Sequence, residues 1–273
     1  MLNRPIPKIF LFVPATRPER IAKAFASGAD EVIADWEDTV APEDKAAART
    51  NIAEYCRQTG QPSVWIRINN PRSAFYADDV AALKTMPEIK GILLSKTVRA
   101  DEISSLYHAA GKPVIADIES AQGMADMGQL ARSDGLFALT YGCLDLANDL
   151  GMSYGTAAAQ TVFDRLRTDM LLHSRINNLH PPIETTFPDF NDHEANRRNA
   201  EYWRDMGFGG VLCIHPKQVA AVKEALRPSE NLLAFAAKVV AEAEHNGQAV
   251  FQVDGQMIDA PVIERAKWIL RQS

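Results

Sequence analysis

The chain has 273 residues, 47% hydrophobic and 23% charged, which suits one large α/β domain or two small ones with a real core. Its formal net charge of −6 excludes broad nucleic-acid binding, which needs a concentrated basic face, but leaves room for a local basic mouth around an anionic ligand. No stretch approaches the ~20 apolar residues of a spanning helix, and Ile9 to Val13 is shorter than a signal-peptide core. Cys56, Cys143 and Cys213 lack CxxC or Cys/His spacing and read as reduced thiols, so a cytoplasmic chain without a membrane partner is expected.

In chain order, short β-branched runs alternate with longer helical stretches. IFLFV (9–13) predicts a strand, and RPERIAKAFASGA an amphipathic helix ending near Gly28. DEVIADWE (30–37) is the second strand, followed by a helix over APEDKAAARTNIAEYCRQTG that stops at Gly60. SVWIRIN (63–69), GILLS (91–95), PVIADIES (113–120) and GLFALTY (135–141) supply strands three to six. PPIETTF (181–187) is a shorter seventh and GGVLCIH (209–215) an eighth. Eight strands, most followed by a helical segment, predict parallel βα units closing into a (β/α)8 TIM barrel rather than an open doubly wound sheet. No GxGxxG follows the first strand, which points the same way. The barrel is expected over 1–225, with 226–273 as a C-terminal appendage holding an Asp-Gly turn and a helix from about Pro261.

In such a barrel the chemistry belongs at the C-terminal strand ends. There the polar residues are Glu37, Asp38, Arg67, Asn69, Lys96, Glu119, Asp145 and His215. Glu119 closes an apolar strand, where a carboxylate is costly unless paired or metal-bound. Metal or catalytic use and a cap or rim salt bridge stand as its two readings. Asp145 follows the next strand, so the two carboxylates can face one hard cation. Two carboxylates suit Mg²⁺, which keeps waters and takes substrate oxygens, better than Ca²⁺, and zinc lacks matched ligands. The other reading of Asp145 is a first-turn acid favoured by the helix dipole, which suits Asp149 better.

Arg67, at the end of WIRIN, either grips a ligand carboxylate or phosphate in a fork or forms an internal salt bridge to Glu37 or Asp38. The acids of DWED (Asp35, Glu37, Asp38) read as supports for Arg67 or for a metal's waters, with at least one merely solvated or capping. His215 is a packed rim residue or part of a ligand wall, and Cys143, without an evident His partner, is a space-filler.

Taken together, LFVPATRPERIAKA, DWEDTVAPEDKAAAR, VWIRIN, LLSK, IES, YGCLDLANDLG, GFGGVLCIHPKQV and VDGQMID resemble the citrate lyase β-subunit-like group of the HpcH/HpaI aldolase/citrate lyase superfamily, almost end to end. The resemblance implies a barrel of the phosphoenolpyruvate/pyruvate type, a Mg²⁺ cofactor, and a homo-oligomer, trimer or hexamer, with the tail packing on a neighbouring subunit. It implies a carbon–carbon lyase that cleaves or forms a malyl-, citramalyl- or citryl-type CoA thioester, with a 2-keto acid and an acyl-CoA as the other side of the reaction. By position, Glu119 and Asp145 match the metal ligands, with Glu119 also at the substrate. Arg67 matches the arginine on the keto acid, and Asp38 the acid behind the metal's water shell. Asp259 matches a tail aspartate that reaches a neighbouring subunit's site and moves the proton at the methyl or enolate carbon. Arg17 and Arg20, together with His215, fall where CoA contacts are expected.

Three departures from the family pattern stand out: Ser95 where proline is common before Lys96, Gly210-Val211 where Gly-Lys is common, and Tyr141 where phenylalanine is common. None touches the metal pair. A class II pyruvate aldolase on free hydroxy-keto acids is the enzymatic alternative, but its early histidine is missing, since no His precedes His108. The other alternative is a partner-dependent or non-catalytic lyase subunit acting with an acyl-carrier protein.

Overall fold

The computed structural model describes residues 8–58, 60–246 and 250–271. Its centre is eight parallel strands: β1 (Lys8–Pro14), β2 (Glu31–Asp35), β3 (Trp65–Ile68), β4 (Gly91–Leu94), β5 (Val114–Ile118), β6 (Leu136–Tyr141), β7 (Ile183–Glu184) and β8 (Gly210–Cys213). They pair in the order β6-β5-β4-β3-β2-β1-β8-β7, each beside its neighbour in sequence and β8 beside β1, which is the predicted (β/α)8 barrel. The seam lies between β6 and β7, where no ladder forms among the described residues. There the His180 N–H donates to the Phe137 carbonyl at 3.0 Å and the Tyr141 hydroxyl donates to Glu184 Oε1 at 2.6 Å. Pro181 and Pro182 explain why β7 starts no earlier than Ile183, since neither has an N–H for a ladder.

Burial on both faces makes these strands near-continuous apolar runs, as parallel strands covered by helices must be. One residue from each strand, Phe10, Ile33, Trp65, Leu93, Ile115, Ala138, Ile183 and Leu212, fills the barrel interior. Their neighbours, Val32, Ile66, Ile92 and Leu139 among them, point outward into the larger core beneath the helices. Gly91 makes room for the Trp65 ring, because a Cβ there would lie 2.2 Å from it. A bulge sets the register of β6: Val114 pairs with Leu136 but Ile115 with Ala138, so that Asp117 faces Thr140 and Ile118 faces Tyr141.

Two residues beyond the apolar layer, the inward positions turn polar: Asp35, Arg67, Ser95, Asp117, Thr140 and Thr185. That change of character marks the site.

After the helix Pro216–Leu226, the C-terminal appendage is a helix (Glu230–Asn246), a hairpin of β9 (Phe251–Val253) and β10 (Gln256–Ile258), and a helix (Ala260–Leu270). The Asp-Gly turn is the hairpin's, with Asp254 and Gly255 both at positive φ. The appendage holds its own core of Ala236, Val239, Phe251, Val253, Ile258, Ala266 and Ile269. It therefore carries strands as well as the expected helix. No helix among the described residues is long and apolar enough to cross a membrane.

Candidate active site at the mouth of the barrel

A cavity of about 260 Å³ opens at the C-terminal strand ends, and Glu119, Asp145, Arg67, Asp38 and Asp117 all line it. Glu119 directly follows β5, and Asp145 lies in the first turn of the helix Cys143–Asp149 after β6, so adjacent strands bring the two carboxylates to one space. Gly142 joins them. Its N–H donates to the Ile118 carbonyl at 3.1 Å, and a Cβ on it would stand 2.4 Å from Glu119 Oε1. Only a glycine lets β6 end this close to the carboxylate.

Glu119 is anchored from the other side. Lys96, at a φ of 49°, turns its backbone N–H onto Glu119 Oε2 at 2.7 Å, with its ammonium 4.0 Å from the same oxygen. A non-glycine residue in the left-handed region is uncommon and tends to mark a functional site. Burial pushes the Glu119 carboxyl up to about 9, and the Asp117 carboxyl adds to that push. No hydrogen bond from the described residues reaches the Asp145 carboxylate. Two acids with open lone pairs, one of them deeply buried, call for a cation. Among the described residues no three or more His, Cys, Asp or Glu side chains converge as a complete metal cage. A cation here would rest on two carboxylates, with water and ligand oxygens completing its shell, which fits Mg²⁺.

Opposite stands Arg67. Its fork is filled by Asp35, with Nε to Oδ1 and Nη2 to Oδ2 both 2.7 Å, and this corrects the partners expected for an internal bridge. Glu37 and Asp38 meet only the third nitrogen, Nη1, at 3.3 and 3.5 Å. Burial acts to raise the Asp35 carboxyl, but the Arg67 guanidinium outweighs it and holds the group below the usual carboxylate range. The Lys96 ammonium bonds Glu37 Oε1 at 2.5 Å, and burial's downward pull on it is overcome by Glu119 and Glu37. Lys45 ties the loop down from behind, donating to the carbonyls of Trp36 and Glu37 at 2.7 and 2.8 Å.

A second cavity, of about 340 Å³, lies behind Tyr141 and Cys143. Its charges are satisfied within the protein. Arg167 bonds Glu184 at 2.6 and 3.0 Å and Asp164 at 2.9 Å, and the Tyr141 hydroxyl completes Glu184. The departure at Tyr141 is thus a structural hydroxyl closing the barrel seam. Cys143 is buried, its thiol pushed up by that burial, with Sγ 3.5 Å from the Thr186 carbonyl, as a space-filler should be.

The HpcH/HpaI aldolase/citrate lyase profile matches residues 8–216. The chain belongs to this family. It is accordingly a carbon–carbon lyase. A citrate lyase subunit beta-like protein of Mycobacterium tuberculosis is 34% identical over 268 residues, covering 97% of this chain and 94% of that protein. An L-malyl-CoA/beta-methylmalyl-CoA lyase of Cereibacter sphaeroides is 31% identical over 297 residues, covering 96% and 93%. The crystal structure of M. tuberculosis CitE in complex with magnesium, acetoacetate and coenzyme A superposes with a TM-score of 0.86 at 33% identity, covering 98% of each chain.

Arg17, Arg20, His215 and Asp259, the remaining residues expected from the HpcH/HpaI pattern, lie outside the cavity, as does Asp149. Asp149 caps a neighbouring helix, accepting from the Ala121 N–H at 2.7 Å. Arg17 and Arg20 are exposed on the segment after β1, at the same end of the barrel, with Arg17 paired to Glu19 at 2.7 Å. His215 caps the helix Pro216–Leu226, its Nδ1 accepting from the Lys217 N–H, and stacks on Phe190 at 4.5 Å. Asp259 caps the helix Ala260–Leu270 in the appendage, accepting from the Val262 N–H at 3.3 Å. No pattern of residue type gives a role to Lys45 or Asp117 or ranks Asp35 above its acidic neighbours. For Asp117 parity was the available signal, since it stands two residues before Glu119 on one strand face, whereas Asp35 owes its place to the ladder register with Arg67.

Proposed function

We propose that this chain cleaves or forms the carbon–carbon bond of a malyl-, citramalyl- or citryl-type CoA thioester, with Mg²⁺ held by Glu119 and Asp145. The observation that carries this reading is the convergence of those two carboxylates, from adjacent strand ends, on one cavity faced by Arg67. Magnesium, when bound, supplies a Lewis acid that polarises the keto oxygen. The residues of the chain do the rest. Arg67, locked in place by Asp35, presents a fixed positive charge where negative charge develops on that oxygen. One such preorganised donor is typically worth about 3 kcal/mol. Asp38, half-exposed at the rim beside Arg67 and Lys96, orders water around the site. In cleavage the substrate hydroxyl gives its proton to water held at the Asp38 rim as the carbon–carbon bond breaks. The bonding pair stays on the thioester fragment as an enolate, and Asp259 of a neighbouring copy, in its acid form, delivers a proton to the enolate carbon. Arg17, Arg20 and the His215 wall, all at the mouth end of the barrel, take the CoA moiety. The protein works as a cytoplasmic homo-oligomer, a trimer or hexamer, in which the appendage of one copy covers the mouth of the next.

The test is a thioester panel with Mg²⁺, read as keto-acid release by the isolated protein. Turnover of malyl-, citramalyl- or citryl-CoA is expected, and it should stop in EDTA. Turnover of free hydroxy-keto acids alone would replace this reading with an aldolase, and activity only with an acyl-carrier protein would replace it with a partner-dependent subunit.

A further inference from the structure

Two buried polar groups sit side by side on the inner wall of the barrel without hydrogen-bond partners. Along β5, Ile115 belongs to the apolar interior layer, Asp117 lies one step above it, and Glu119 stands at the mouth. Asp117 is only 3% exposed and its Oδ1 has no partner, yet it lines the cavity shared by Glu119 and Asp145. Its ladder partner on β6 is Thr140, fully buried, whose Oγ1 also has none.

The surrounding cationic groups and the Ser95 hydroxyl face other acceptors. Two nitrogens of Arg67 bond Asp35 and the third faces Glu37 and Asp38. The Ser95 hydroxyl donates to the Ile68 carbonyl at 2.7 Å, and the Lys96 ammonium to Glu37. A buried acceptor left unmet is costly, so its donor has to come from whatever fills the cavity.

We propose that Asp117 is a specificity-determining residue that reads a hydroxyl group on the bound keto acid, with Thr140 behind it on the neighbouring strand. This rests on the reading of the cavity as a keto-acid site. The preferred ligands are then 2-keto acids with a hydroxyl on the carbon next to the carbonyl. A plain methyl in that place leaves the Asp117 acceptor unmet.

Calorimetric binding in Mg²⁺ tests this with pyruvate, 3-hydroxypyruvate and oxaloacetate, on the intact protein and on Asp117→Leu, Asp117→Asn and Thr140→Val. The intact protein is expected to bind 3-hydroxypyruvate at least about tenfold more tightly than pyruvate, the ratio that one buried hydrogen bond produces. Asp117→Leu should bring that ratio near one, while Asp117→Asn, which keeps an acceptor and the shape, should retain part of it. Thr140→Val, at a position outside the cavity lining, should leave it unchanged. Equal binding of pyruvate and 3-hydroxypyruvate by the intact protein, or a ratio untouched in Asp117→Leu and Asp117→Asn, would overturn the proposal while leaving the keto-acid site standing. Failure of the intact protein to bind any of the three would overturn both.

Discussion

Arg67 offers five N–H donors, and Asp35 takes two of its three nitrogens in a fork at 2.7 Å. Removing Asp35 would strand a guanidinium with 12% of its side chain exposed, so Asp35→Ala is expected to destabilise the fold by about 3–5 kcal/mol. Chemical denaturation reads that loss, and a change below about 1 kcal/mol would mean that Glu37 and Asp38 can replace it. The acids on the other side of the cavity carry a pH signature. Burial raises Glu119 to about 9 and Asp117 to about 7. Above the ordinary carboxylate range and up to about pH 9, the folded, metal-free chain keeps protons that the unfolded chain has lost. Its stability therefore falls as pH rises through that window. Thermal melts in EDTA from pH 5 to 9 should show a declining midpoint, with a shallower decline in Glu119→Gln. Equal slopes in the two proteins would contradict the placement of that proton.

Elements, more than single residues, decide how the carboxylates meet. The β6 strand ends against Glu119 because Gly142 has no Cβ, at an ordinary φ of −94°. Gly142→Ala is therefore expected to displace the Glu119 carboxylate without backbone strain. Mg²⁺ affinity should fall by roughly tenfold or more, the usual scale for disturbed support of a metal ligand, while the circular dichroism spectrum stays unchanged. Unaltered affinity would show that Glu119 does not need its present position.

This level of organisation was the most legible in the sequence. Alternating runs and a strand count of eight place Glu119 and Asp145 on neighbouring units from residue pattern alone. Which member of DWED turns inward was not legible, because it depends on β2 ending at Asp35 in register with Arg67. Nor was the clamp by Lys45, which bonds backbone carbonyls eight and nine residues earlier and leaves no pattern in side-chain type. The β7 ladder starts only at Ile183, since Pro181 and Pro182 lack an N–H, and it spans two residues where the run PPIETTF predicts seven.

At the scale of the molecule, the appendage has its own small core and a capping aspartate, Asp259, that the barrel's own cavity does not include. If that aspartate serves a neighbouring copy, two inactive variants should rescue each other. Mixed oligomers of Asp259→Ala and Glu119→Gln are expected to regain a fraction of turnover, since some sites then combine an intact Glu119 with an intact Asp259. Subunit exchange followed by the thioester assay reads this. No recovery in oligomers shown to have exchanged would place Asp259 outside the reaction of any neighbour.

The claim on which the rest depends is that Glu119 and Asp145, rather than Asp149, hold the cation. Calorimetric titration of Mg²⁺ into the intact protein, Asp145→Asn and Asp149→Ala tests it most directly. One site per chain is expected in the intact protein and in Asp149→Ala, and none in Asp145→Asn. Equal affinity in Asp145→Asn and the intact protein would contradict the account.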